Sequence, residues 1–126
     1  MSTPRPTEAE LDILRVLWGL GASTVRQIHD TLNAERDIGY TTILKLLQIM
    51  FEKGLVARDD SQKSHIYRTT QKAQTTQRQL VKDLLKRAFG GSTEQLVLQA
   101  LSSKKTSKQE IGEIRRMLDE LEGGAS

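Results

Sequence analysis

The stretch from Gly39 to Gly54, GYTTILKLLQIMFEKG, constrains this chain most, because it reads as one short amphipathic helix with two distinct faces. On a helical wheel, Ile43, Leu46, Leu47 and Met50 gather on one side and Thr41, Lys45, Gln48 and Glu52 on the other. The first group is suited to hold the helix in a core. The second, headed by hydrogen-bond donors, has the chemistry to enter a major groove with its N-terminal half foremost. Gly54 is placed to end the helix, and Leu55-Val56 opens an extended segment directly after it. Taken alone, the pattern equally describes an ordinary core helix with a solvated back, so the neighbours decide.

Two helices precede it. Thr7-Glu8-Ala9-Glu10 is a capping box that opens a helix to about Leu20, with Leu11, Leu14, Leu17 and Trp18 inward and Gly21 at its end. Ser23 or Thr24 caps the second, in which Val25, Ile28 and Leu32 recur at helical spacing. After the third helix, Leu55–Arg58 and His65–Arg68 are strand candidates joined by the polar loop 59–64. Three helices followed by a hairpin spell a winged helix-turn-helix. The expected fold class is mainly α, a winged helix-turn-helix N-terminal domain over 1–72 followed by a helical dimerisation region over 73–126.

Size and composition narrow the function. A chain of 126 residues has little room for a large enclosed active site. It has no cysteine, hence no disulfide framework and no thiolate metal site. Its apolar runs are too short to cross a bilayer, and the start Met1-Ser2-Thr3-Pro4-Arg5-Pro6 does not read as a signal peptide, so a cytoplasmic protein without stable membrane association is expected. Basic and acidic residues balance over 1–70, whereas 71–93 carries five against one. That neutrality is a mild argument against nucleic acid, since phosphate neutralisation supplies most non-specific affinity. From Thr41 to Arg68, however, Lys45, Lys53, Arg58, Lys63 and Arg68 outnumber the acids.

The second half suggests a partner subunit. Leu80, Val81, Leu84, Leu85, Ala88 and Phe89 form an apolar stripe that Gly90-Gly91 stops. Ser92 caps a short helix with Leu96, Val97, Ala100 and Leu101, and Ser107-Lys108-Gln109-Glu110 opens a last one with Ile111, Ile114, Leu118 and Leu121. Three short one-faced helices make little core alone; they fold back on the winged domain or intertwine with a second copy, and the regular final stripe favours a homodimer. Leu80, Leu84, Phe89, Leu96, Val97, Leu101, Ile111, Ile114, Leu118 and Leu121 are the expected interface.

Together these pieces resemble the penicillinase-repressor family of bacterial transcriptional regulators. The likeness is carried by Glu10 to Trp18, Ser23 to Ile28, Thr42-Ile43 with Leu46-Leu47, Glu52 to Val56, Tyr67, Phe89-Gly90-Gly91 and Glu110 to Leu118. The resemblance implies a homodimeric repressor on a palindromic double-stranded DNA operator, released when a membrane-bound sensor peptidase causes a cut in the C-terminal region. Two departures stand out. Leu44 and Ile49 occupy positions where relatives often carry a basic residue, and Gln99-Ala100 stands where the antibiotic-resistance repressors are cut, so β-lactam induction does not carry over with membership.

Residue by residue, Lys45 and Gln48 are the candidates for base edges, and Thr41 and Thr42 for bases or phosphates unless they serve as caps. Arg58, Lys63 and Arg68 flank the wing and read as phosphate contacts or as an ordinary charged hairpin. Arg26 at the start of the second helix is placed to clamp a phosphate, and Tyr67 to pack on the helices. His29 and His65 are the available imidazoles; with no oriented acid partner and no ligand spacing, neither catalysis nor a metal or other cofactor is indicated. The rival reading is a winged helix that serves as a protein-interaction module.

Overall fold

The computed structural model describes residues 5–124; residues 1–4, part of the start read above as lacking a signal peptide, and residues 125–126 lie outside the described residues. The elements run α1 Glu8–Leu20, β1 Ser23–Thr24, α2 Val25–Asn33, α3 Tyr40–Lys53, β2 Val56–Asp59, β3 Ile66–Thr69, α4 Ala73–Ala88, α5 Thr93–Ser102 and α6 Lys108–Gly124. No described helix is long and apolar enough to cross a membrane. Packing divides the chain into Met1–Leu80 and Val81–Ser126, so the division falls within α4, eight residues after its first residue, Ala73.

In the first unit, local signals act as the sequence suggests. Thr7 and Glu10 close the capping box of α1 in both directions. Thr24, rather than Ser23, caps α2, and Gln27 completes a second box. Gly39 caps α3 without a side-chain bond, so Thr41 and Thr42 are first-turn residues rather than caps. Gly54, at φ 82°, ends α3: its amide bonds to Phe51 and the Leu55 amide reaches Met50 at 2.9 Å. This pair of bonds is the Schellman pattern, and it uses the Leu55 amide at the helix end. The first wing strand therefore begins at Val56, one residue later than the sequence suggests.

The sheet has three antiparallel strands in the order β1-β3-β2. The sequence shows only two, because Ser23-Thr24 is too short to display alternation. Thr24 pairs with Ile66 while its side chain caps α2, so two residues join sheet to helix.

The core lies between α1, α2, α3 and the sheet, with Ile13, Ile28, Ile43, Leu47 and Met50 fully excluded from solvent. Leu14 and Leu17 are inward as expected, Ile13 joins them, and Leu11 and Trp18 pack on the margin. Trp18 sits there because its Nε1 donates to the Gln71 carbonyl at 3.1 Å, just before α4. Tyr67 is packed inside, at 1 % exposure. Glu10 is as buried as Tyr67. Its carboxylate accepts from the Thr7 amide at 2.8 Å and from Lys53 Nζ at 2.9 and 3.0 Å, which joins the start of α1 to the end of α3.

The second unit is built differently. Ser92 and Ser107 each accept a backbone amide, from Gln95 and Glu110, at the starts of α5 and α6. Yet neither helix contains a buried residue. Phe89, Leu96 and Ile114 are half-buried, as is Leu80 at the end of the first unit, while Leu84, Val97, Leu101, Ile111, Leu118 and Leu121 are exposed.

Candidate nucleic-acid interface

Because α3 commits Ile43, Leu47 and Met50 to the core, the helical period turns Thr41, Thr42, Lys45 and Gln48 outward, and all four are exposed. None of the four side chains has a hydrogen-bond or ion-pair partner among the described residues. Their donors are free for an external ligand. Ile49, half a turn from the core residues, also reaches the surface at 37 % exposure.

Beside α3 lies an open cleft of about 360 Å³ lined by the start of α2, the start of α3 and the wing. Arg26 comes from α2, Tyr40 and Leu44 from α3, and Lys63, Ser64 and His65 from the loop before β3. The sequence separates Arg26 from Lys63 by more than thirty positions, and the fold brings both cations to one opening. Tyr40 and His65 were not among the expected contacts. Tyr40 is 46 % exposed and set edge-on against the His29 ring, with centroids 5.8 Å apart. An exposed aromatic next to Gly39, at a helix start, is the signal that marks it.

The wing arginines part company. In the register of β2 with β3, Arg58 faces Tyr67 and Ala57 faces Arg68. Since directly paired residues share a sheet face, Arg58 lies on the core side and Arg68 on the solvent side. Arg58 lies over the Phe51 ring at 4.4 Å, and its Nε is 2.8 Å from Asp60 Oδ1. The Tyr67 hydroxyl, then Asp60, raise its pKa above the ordinary guanidinium value. The alternation from buried Val56 to position 58 was the legible sign. Asp59 in turn accepts from the Ser61 amide at 2.9 Å, which, with a smaller contribution from Arg68, holds its carboxyl below the usual range.

Lys53 and Arg58 are thus engaged within the protein, and Arg26, Lys45, Lys63 and Arg68 remain the outward cations of this unit among those the sequence singles out. In the second unit, Gln99 and Ala100 are exposed but helical, and the Gln99 carbonyl accepts from the Ser103 amide at 3.0 Å.

Comparison with known proteins agrees with this architecture. The penicillinase repressor family profile matches residues 6–120. The penicillinase repressor of Staphylococcus aureus is 23% identical over 113 residues, covering 90% of each chain. The transcriptional regulator BlaI of Mycobacterium tuberculosis is 30% identical over 118 residues, covering 93% of this chain and 85% of that protein. The methicillin resistance regulatory protein MecI of Mammaliicoccus sciuri is 22% identical over 113 residues, covering 90% and 92%. A profile match that spans nearly the whole chain, on a mostly helical fold with a small antiparallel wing, means that this protein belongs to the penicillinase repressor family.

Proposed function

We propose that this protein is a transcriptional repressor that binds a palindromic operator as a homodimer. The observation that carries the reading is the free outer face of α3, with Thr41, Thr42, Lys45 and Gln48 next to a cleft holding Arg26 and Lys63. In this reading Lys45 and Gln48 contact base edges, the threonines a base or a phosphate, and Arg26, Lys63 and Arg68 the backbone. Arg58 contributes by stiffening the wing from behind. The names of the relatives, penicillinase repressor and transcriptional regulator, support the same role. Dimerisation is supported by the uncovered apolar residues of α4, α5 and α6, which a second copy is suited to bury.

Release of the operator, in the same reading, follows loss of the dimer. A cut in the segment from Gln99 to Thr106 leaves α5 and α6 as pieces that each bury too little to hold two subunits. A membrane-bound sensor peptidase is the implied agent. Its attack at Gln99-Ala100 requires the last turn of α5 to unwind, whereas Ser103, Lys104 and Lys105 lie outside the helices. Mass spectrometry of the protein from derepressed cells tests this step, and an intact 126-residue chain at full derepression would rule it out.

The test of the main reading is a mobility shift with the DNA upstream of the protein's own gene, titrated in protein and in salt. A repressor gives a retarded complex that outlasts a large excess of unrelated duplex. A winged-helix adaptor, the rival reading that the balanced charge of residues 1–70 keeps open, gives no salt-dependent retention at all.

A further inference from the structure

Several exposed cations lack an ion-pair partner among the described residues, Lys72, Lys104, Lys105, Lys108 and Arg115 among them, but one further set lines up along a single helix. Arg15 and Arg36 pair with Asp12, Lys53 with Glu10, Arg58 with Asp60, Arg87 with Asp83, and Arg116 with Glu113 and Glu120. On α4, Arg78, Lys82 and Lys86 are exposed and have no such partner among the described residues. Their spacing of four places them in one row along the helix, and the helical rise stretches that row over about 12 Å. The acid of α4, Asp83, lies off the row and is held by Arg87 at 3.2 Å.

We infer that the Arg78-Lys82-Lys86 row of α4 is a second, sequence-independent DNA-binding surface that holds duplex phosphates. The inference rests on the DNA-binding reading above and addresses its weak point. The first unit has balanced charge over residues 1–70, and Lys53 and Arg58 are turned inward, so it presents few free cations to a duplex. Phosphate contacts supply most non-specific affinity, and α4 carries an unneutralised row of the required sign. An anionic lipid surface is the competing occupant, because Val81 and Leu84 are 46 % and 47 % exposed on the same helix. A lipid-lying helix sets cations on both flanks of its apolar arc; here the far flank carries Thr76 with Asp83 and Arg87, the last two paired.

The test uses the full chain with Arg78→Gln, Lys82→Gln and Lys86→Gln combined, since glutamine keeps helix propensity and removes charge. The control is Lys104→Gln, Lys105→Gln and Lys108→Gln, which removes the same charge elsewhere. Binding to a random-sequence duplex and to the upstream DNA is followed by anisotropy against salt. The row variant is expected to bind both duplexes about tenfold more weakly near 0.1 M salt, with a slope of log K against log salt shallower by roughly two to three per bound chain. The control triple is expected to stay within about twofold of the parent.

Equal losses in the two triples would reduce the effect to bulk charge and overturn the inference. So would parental binding by the row variant, or a loss of binding to phosphatidylglycerol vesicles with DNA affinity unchanged. If circular dichroism shows that the triple variant has lost helix, Lys82→Gln and Lys86→Gln are measured singly, each with an expected slope loss of about one. A parent that ignores all DNA sinks both readings. A parent whose operator preference depends on Lys45, beside a row variant that binds like it, sinks this one alone.

Discussion

The two units use the same signal and reach opposite ends. In α3, apolar residues at helical spacing vanish from solvent, with Ile43, Leu47 and Met50 at 0 % exposure. In α6, Ile111, Ile114, Leu118 and Leu121 repeat the spacing, yet Leu118 stays 55 % and Leu121 71 % exposed. The difference is the cover. The first unit has a sheet and three helices that approach from several directions, with Tyr67 and Val56 closing one side. The second has α5 and α6, with no sheet and no buried residue on either helix, so their stripes lack enough opposing surface among the described residues. Helical periodicity therefore reveals that a face is apolar, and says nothing about whether its cover comes from the same chain.

If the first unit is a complete core, deleting part of it must be costly. Leu47→Ala should destabilise Met1–Leu80 by about 2 to 5 kcal/mol, read by denaturant unfolding. A loss below about 1 kcal/mol would mean that this core is loosely closed. The polar link is expected to come next. Lys53→Met leaves the Glu10 carboxylate buried with only the Thr7 amide, at a cost of about 2 to 3 kcal/mol, below that of a fully buried pair because Lys53 reaches solvent. Rescue by the added change Glu10→Gln would identify the unpaired charge as the cause.

The opposite behaviour is expected of α6. Leu118→Asp should leave the unfolding midpoint of the first unit unchanged while it dissociates the proposed dimer, because each leucine buried between two copies would contribute about 1.5 to 3 kcal/mol before ordering costs. Sedimentation that still shows a dimer at micromolar concentration would move the contact to Leu84 and Phe89. A smaller effect sharpens the contrast inside the first unit. Lys63→Ala should weaken all duplexes alike and lower the salt slope by about 0.9, with no change in stability.

The legible parts of the fold were those set by neighbours in sequence. The Thr7-Glu10 box, the glycine stop at Gly54 and the inward row of α3 depend on residues within a turn of one another. What stayed hidden depends on pairing at a distance. Strand β1 exists because Ser23 and Thr24 meet Tyr67 and Ile66, and the Lys53 ammonium is taken up within the protein because Glu10 lies beside it in the fold. The candidate interface follows the same division. The outward α3 residues could be read from the helical period, whereas the inward turn of Arg58 follows from strand register, and the union of Arg26, Tyr40 and Lys63 in one cleft follows from tertiary packing.

In the proposed function, the outer face of α3 reads base sequence. Selection of bound duplexes from a random pool, run with the parent and with Lys45→Ala, tests it most directly. A palindromic site is expected for the parent, and for the variant a changed preference at one or two positions of each half-site, with a loss of about 1 to 3 kcal/mol on the parental site. Recovery of the same half-site at the same affinity by the variant would contradict it.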